Sequence, residues 1–264
     1  VINGNSGADI MFGEGSSDRM FGGSGADELD GGAGNDLIDG GAGKDRIDGR
    51  SGADVIEGGT GRDVLNGNTW ADEIFGQNAA DRLFGGVGGD TINGGGGRDV
   101  LRGGEGRDRL VGADDADVLH GDNGVDLAFG GTGGDIINGN AGTDSLNGQT
   151  GRDRLFGGGS DDVITGGRGE DYLVGGEGSD RLNGGAGDDT LVGGDGQDSF
   201  VFRDLRAIDR DVVTDFRDGI DVLLFDGGSP QFREVPTGVL VSMPNGYEVL
   251  VQGWTINEVD PNDY

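Results

Sequence analysis

From Gly4 the chain can be cut every nine residues, without one insertion or deletion, as far as Val201. The 22 blocks start GNSGADIMF, GEGSSDRMF, GGSGADELD and finish GGDGQDSFV. Every block has Gly at position 1 and Asp at position 6, from Asp9 to Asp198. Position 4 is Gly in 17 blocks, and position 8 is a sizeable apolar residue in all but one, where Ala128 stands. A fixed period of this length marks a chain of stacked supersecondary units rather than one that folds round a single core. Val1, Ile2 and Asn3 fit positions 7 to 9 of an earlier block, so the repeat is expected to continue upstream in a longer parent chain.

Glycine in the first half of the block permits the positive φ of a tight turn and lets carbonyls point inward. Positions 7 to 9 alternate outward, inward, outward, as a short strand does. Position 8 is the inward one, as in Met20, Leu29, Ile38, Ile47, Ile56 and Leu65, while positions 7 and 9 mix Arg19, Glu28, Thr91 and Asn93. Each nonapeptide is then a loop plus a three-residue strand, and two of them close one turn of a coil. The fold class predicted is all-β: a right-handed parallel β-roll, a β-solenoid of about 11 turns, with a small C-terminal β capping unit.

Loops of such a coil stack every 18 residues. Asp27 lies beside Asp45 and Asp45 beside Asp63 on one edge; Asp36 lies beside Asp54 on the other. Further along, Asp171 neighbours Asp189 and Asp180 neighbours Asp198. Two columns of bare, half-buried carboxylates would destabilise the fold strongly. A hard cation between neighbours removes the problem, and Ca²⁺ suits all-oxygen sites of six or more ligands better than Mg²⁺, which resists dehydration. One inward apolar side chain per nine residues does not offset the entropy of ordering the backbone, so ion binding is expected to be part of folding.

The unit GGxGxDxUx is the nonapeptide by which calcium-binding β-helix repeats of RTX proteins are recognised, and residues 1–201 resemble the repeats-in-toxin family closely. The resemblance implies that aspartates of loops n and n+2 share one ion with alternating loop carbonyls. The metal ligands are then Asp9, Asp27, Asp36, Asp45, Asp54, Asp63, Asp90, Asp99, Asp108, Asp126, Asp135, Asp144, Asp153, Asp162, Asp171, Asp180, Asp189 and Asp198. Roughly 12 to 20 Ca²⁺ would be held in this way. A side chain replaces Gly at position 4 in five loops, as Ser16, Trp70, Ala79, Asp115 and Ser160. A Cβ resists φ > 0, so these loops are expected to be distorted and their ion sites weaker or absent. Trp70 reads as a drifted turn, with an exposed stacking surface as the alternative.

Composition narrows the function. There are 50 acidic and 19 basic residues, a formal net charge of −31, no Cys and one His, His120. Nucleic acid and anionic membranes want a basic surface. Disulfides, Cys-based zinc sites and thiol nucleophiles are excluded. No apolar run is long enough to span a membrane, and the glycine spacing is not that of collagen. There is no HExxH, no GxSxG and no second His, and the glycine loops carry Asp where a phosphate loop carries Lys. The chain therefore reads as a non-enzyme. His120, at outward position 9, reads as a solvated surface residue. The position-7 arginines Arg19, Arg46, Arg82, Arg109, Arg154 and Arg181 are expected to pair with nearby acids. About 15 to 16 bound divalent ions would neutralise the chain.

After Val201 the period stops, and residues 202–264 hold six of the 63 glycines. This reads as a cap over the last apolar turn, so the domains expected are 1–201, the repeat roll, and 202–264, the capping and secretion-signal region. The stretch Asp211 to Phe225 resembles the segment closing the RTX domains of serralysin-type proteases, in Asp211, Val213, Asp215, Phe216, Gly219, Asp221 and Leu223. Gly238 to Trp254 reads as a β-hairpin turning at Asn245-Gly246, and Thr255 to Glu258 as a short capping box. The ending Asp260 to Tyr264 resembles RTX C-terminal tails. The resemblance implies a module that folds on extracellular Ca²⁺ and supports type I secretion and stability of a larger protein from a Gram-negative bacterium. Its partners would be the secretion machinery, through the C-terminal region, and an upstream domain. It would be secreted, extracellular or at the cell surface. The alternative is a Ca²⁺-dependent adhesion or glycan-binding module of an RTX adhesin or polysaccharide-modifying enzyme.

Overall fold

The alternation of one buried and one exposed residue, repeated at a spacing of 18, builds two parallel sheets. The computed structural model describes residues 1–203, 209–217, 219–225, 230–244 and 246–255, and every regular element among them is a β-strand. The chain forms a β-solenoid of about 12 turns of parallel stacked coils. Its contacts group into two compact units, Val1–Ile136 and Ile137–Tyr264.

In the first unit successive strands alternate between the sheets. Arg19–Ser24, Leu37–Ala42 and Val55–Thr60 are neighbours in one; Glu28–Ala33, Arg46–Ser51 and Val64–Thr69 are neighbours in the other. The register advances by two blocks, with Met20 opposite Ile38, Ile38 opposite Ile56, and Ile47 opposite Leu65. Position 8 from Met20 to Ala128 is buried throughout, each aliphatic side chain contributing about 2 kcal/mol.

Most repeat strands cover six or seven residues, not three. Arg19–Ser24 runs from position 7 through position 3 of the next block. Stacked loops have the same shape, so the parallel ladder continues through them, pairing Gly23 with Gly41 and Ser24 with Ala42. The position-1 glycine is therefore a second inward residue of each strand, as the buried Gly22 and Gly40 are.

The second unit repeats this arrangement and then extends it past the last nonapeptide. Arg210–Val213 pairs parallel with Thr190–Asp195, and Val222–Phe225 with Ser199–Phe202. Val213 lies opposite Leu191 and Leu223 opposite Phe200, both fully buried in the position-8 row. A coil without the glycine pattern thus adds to the eleven that the repeats supply. Asp215 finishes the ladder from a side chain: its carboxylate accepts the N–H groups of Gly193 at 2.9 Å and Gly194 at 2.8 Å. Beyond it, Glu248–Gln252 pairs parallel with Arg210–Val213 and antiparallel with Gly238–Ser242, which pairs with Gln231–Val235.

The expected hairpin is present. The Gly246 N–H donates to the Met243 carbonyl and the Met243 N–H to that of Tyr247, each at 2.9 Å. Asn245, Ile256 to Glu258 of the capping box, and the tail Asp260 to Tyr264 lie outside the described residues. Aromatic rings fill the space under the hairpin: Phe202 stacks on Phe225 at 5.1 Å and Phe216 meets Trp254 at 5.0 Å.

Candidate metal centre

Each position-6 aspartate ends a loop and begins a strand, so its main chain is held by the ladder and its side chain turns inward. In the first unit one column runs Asp9, Asp27, Asp45, Asp63, Asp81, Asp99, Asp117 and Asp135, and the other runs Asp18 through Asp126. From Asp9 to Asp117 each N–H donates to the Oδ1 of the aspartate one coil on; Asp27 to Asp45 and Asp45 to Asp63 are both 2.8 Å. Asp36 reaches Asp54 at 2.8 Å on the second edge. In the second unit Asp171 reaches Asp189 at 2.8 Å and Asp180 reaches Asp198 at 3.0 Å. All the stacked neighbours named from the sequence are neighbours here.

The second oxygen is the unusual one. The Oδ2 atoms of Asp27, Asp36, Asp45, Asp54, Asp63, Asp90, Asp99 and Asp108, and of Asp162, Asp171, Asp180, Asp189 and Asp198, are buried without a hydrogen-bond partner. The invariant position-1 glycine explains where they point. A Cβ on Gly40 would lie 2.7 Å from Asp45 Oδ2 and 2.8 Å from the Gly58 carbonyl oxygen. On Gly166 it would lie 2.5 Å from Asp171 Oδ2 and 2.5 Å from the Gly184 carbonyl oxygen. A carboxylate oxygen and a main-chain carbonyl of the next coil therefore face the same small volume, which only glycine leaves open. The donors are hard oxygens, and this set fits a Ca²⁺ ion. No group of three or more acidic, His or Cys side chains converges among the described residues; a step between coils offers carboxylates together with backbone oxygens.

Burial governs the protonation of these groups. It pushes Asp45 and Asp54 up to about 6, Asp72, Asp81 and Asp108 to about 7 and Asp117 to about 8, opposed by the backbone hydrogen bond each accepts. Carboxylates of neighbouring coils push several further, as Asp99 and Asp135 do for Asp117. Asp171 and Asp180 rise to about 6, and Asp162 to about 7, for the same first reason.

Three aspartates outside the sequence-derived set stand in the same geometry. Asp72, Asp81 and Asp117 are buried, their Oδ2 atoms are orphaned, and their Oδ1 atoms accept N–H groups at 2.8, 2.7 and 2.8 Å. The substituted loops are less distorted than their sequences suggested. Trp70, Ala79, Asp115 and Ser160 adopt φ of 85°, 79°, 76° and 79°, against 142° and 138° at Gly43 and Gly61. The backbone rotates within the left-handed region, where a side chain costs about 1 to 3 kcal/mol, and the ladder on either side carries the aspartate into register. Trp70 remains 69% exposed. Asp211 and Asp221 also continue the columns, accepting the N–H groups of Asp189 and Asp198 at 3.0 Å each. Their signal was the Asp-x-apolar triplet of positions 6 to 8, in Asp211-Val212-Val213 and Asp221-Val222-Leu223, without the glycines around it.

Two further expectations change. Arg82, Arg109 and Arg154 lie over the rings of Phe84, Phe129 and Phe156 at 5.7, 4.8 and 5.6 Å; a ring on a neighbouring outward position offers a rigid apolar face as well as charge attraction. His120 is half-buried, and burial and then Arg102 lower its pKa against a smaller opposing effect of Asp122.

The family model described as RTX calcium-binding nonapeptide repeat (4 copies) matches residues 1–29, 21–56, 57–92, 84–119, 93–128, 120–153, 138–173 and 165–200. No curated protein matches the chain. Among solved structures, the extracellular lipase LipA from Serratia marcescens is similar over 83% of this chain and 44% of its own, with 17% identity and a TM-score of 0.27; the chain thus spans less than half the length of that protein. The nine-residue period, the paired aspartate columns and the family match over most of the chain agree, and the chain belongs to the family of RTX calcium-binding nonapeptide repeats.

Proposed function

We propose that this β-roll is a module folded by calcium outside the cell, with Ca²⁺ held between successive coils along both aspartate columns. The observation that carries the reading is the row of buried Oδ2 atoms without hydrogen-bond partners, several of them, such as those of Asp45, Asp63, Asp108 and Asp171, beside a carbonyl oxygen of the next coil. Leaving such groups uncompensated is costly. A bound Ca²⁺ supplies the compensating charge. The ligands are the eighteen aspartates named from the sequence together with Asp72, Asp81 and Asp117, and the ions number roughly 12 to 20. At low cytoplasmic calcium the carboxylates repel one another and the chain stays unfolded, which suits export through a type I channel. In extracellular calcium it folds and stabilises the larger secreted protein to which it belongs. Far-UV circular dichroism of the full chain tests this: strand signal in millimolar calcium, lost with excess chelator and restored by calcium. Equal strand content in chelator overturns it.

One feature of the first unit favours a second reading, an anionic glycan as ligand. Lys44, Arg62, Arg82 and Arg98 line a groove with Val64, Val100 and Val118 and the aspartates Asp63 and Asp99, four basic side chains together in a chain of net charge −31. A glycan array probed in calcium separates this reading from a purely structural role.

A further inference from the structure

Both aspartate columns stop in the second unit, and the last carboxylate of each, Asp221 and Asp211, has a donor on its Oδ2. In the column Asp162, Asp180, Asp198, Asp221 the final step is occupied by Arg217. Its guanidinium stands 3.6 Å from Asp198 Oδ2 through Nη2 and 3.7 Å from Asp221 Oδ2 through Nε. Nη2 also donates to the carbonyl of Gly196, the position-4 glycine of the last block, and Nη1 lies 3.8 Å from Asp195. The side chains of Asp198 and Asp221 are 0% and 1% exposed. Arg217 is fixed by its own backbone: its N–H donates to Asp221 Oδ2 at 2.8 Å, and its carbonyl accepts from Asp221 at 2.9 Å. The spacing from Asp198 to Asp221 is 23 residues where regular steps use 18, and the extra length places an arginine four residues before the aspartate. In the other column the last carboxylate is met by a neutral donor, the Tyr247 hydroxyl on Asp211 Oδ2.

We propose that Arg217 is a built-in occupant of the last cation position of its column, so that the step between Asp198 and Asp221 takes a guanidinium where a regular step takes Ca²⁺. The inference rests on the calcium reading above. The head group reaches the oxygen types a divalent ion would use there: carboxylates of two successive loops and a loop carbonyl. A delocalised, permanently charged guanidinium suits this role, because it presents several donors in fixed directions and cannot be neutralised by burial. The terminal coil then closes without an ion, and the step is withheld from calcium.

Native mass spectrometry of the full chain in calcium, with circular dichroism as the fold control, tests this on Arg217→Gln and Arg217→Lys. Arg217→Gln removes the charge and is expected to bind one Ca²⁺ more per chain than the parent. Arg217→Lys keeps a cation and is expected to bind the parent number. An Arg217→Gln protein that folds with the parent's ion number overturns the proposal. So does one that fails to fold at any calcium concentration while Arg217→Lys folds, since an ion then cannot stand where the guanidinium stood. A parent chain that binds no calcium instead removes the functional reading itself.

Discussion

Between Leu37 and Thr69 the Oδ1 of each buried aspartate accepts a main-chain N–H of the adjacent coil, and its Oδ2 faces an open glycine position with no protein donor. Around Asp211 and Asp221 the backbone relation is the same, but Oδ2 meets a tyrosine hydroxyl in one case and an arginine in the other. At position 6 every regular coil brings the same carboxylate, so that position supplies no cation to the next coil. The stretch that has left the period brings a different side chain to that place. Repetition therefore creates a demand for external ions, and the departure from repetition at the C-terminal end removes it.

Acidification should break this contrast most visibly. Burial raises the folded-state pKa of Asp45 to about 6 and of Asp117 to about 8, above the unfolded value of about 3.9. Between those limits the folded state binds more protons than the unfolded one. The contribution to stability is fully present below about pH 4 and is lost as pH rises through 6 to 8. Calcium-free protein taken from pH 8 to pH 4 should gain strand signal by circular dichroism, and its calcium affinity should fall over the same range as protons compete for the carboxylates. A calcium-free chain equally unstructured at both pH values would contradict this.

Single glycines sharpen the comparison. Gly40→Ala puts a Cβ 2.7 Å from Asp45 Oδ2; it should cost about 3 kcal/mol and raise the calcium midpoint of folding. Tyr247→Phe leaves the buried Asp211 carboxylate without the hydroxyl and should cost about 2 kcal/mol, read as a lower melting temperature in excess calcium. The smallest effect belongs to Gly219→Ala in the cap. There φ is +72° but no atom lies within 4 Å of the added Cβ, so the cost is the backbone term alone, about 1 kcal/mol. A Gly219→Ala loss as large as that of Gly40→Ala would show that loop conformation, and not crowding at the carboxylate, sets the need for glycine.

Most of the candidate site was legible in the sequence because a column is a consequence of period. Once two blocks make a coil, Asp45 must stand beside Asp27 and Asp63, and the inward row of Ile38, Ile56 and Ile74 follows by the same arithmetic. The regular geometry extends further than local chemistry alone suggests. Trp70 and Ala79 disfavour the left-handed turn, yet the ladders on both sides impose it, and Asp72 and Asp81 keep their places.

The all-β coil, the two aspartate columns, the inward apolar row and an excess of negative charge that calls for cations can all be read from the chain's spacing and composition. These follow from spacing, and spacing survives without coordinates. Packing is what reveals that the strands run through the glycines, that position 1 must be empty of a side chain, and that Arg217 and Tyr247 end the columns. Arg217 lies 19 residues from Asp198 and Tyr247 lies 36 from Asp211, at distances no repeat prescribes. Contacts of that kind arise only when an aperiodic chain packs onto the end of a periodic one.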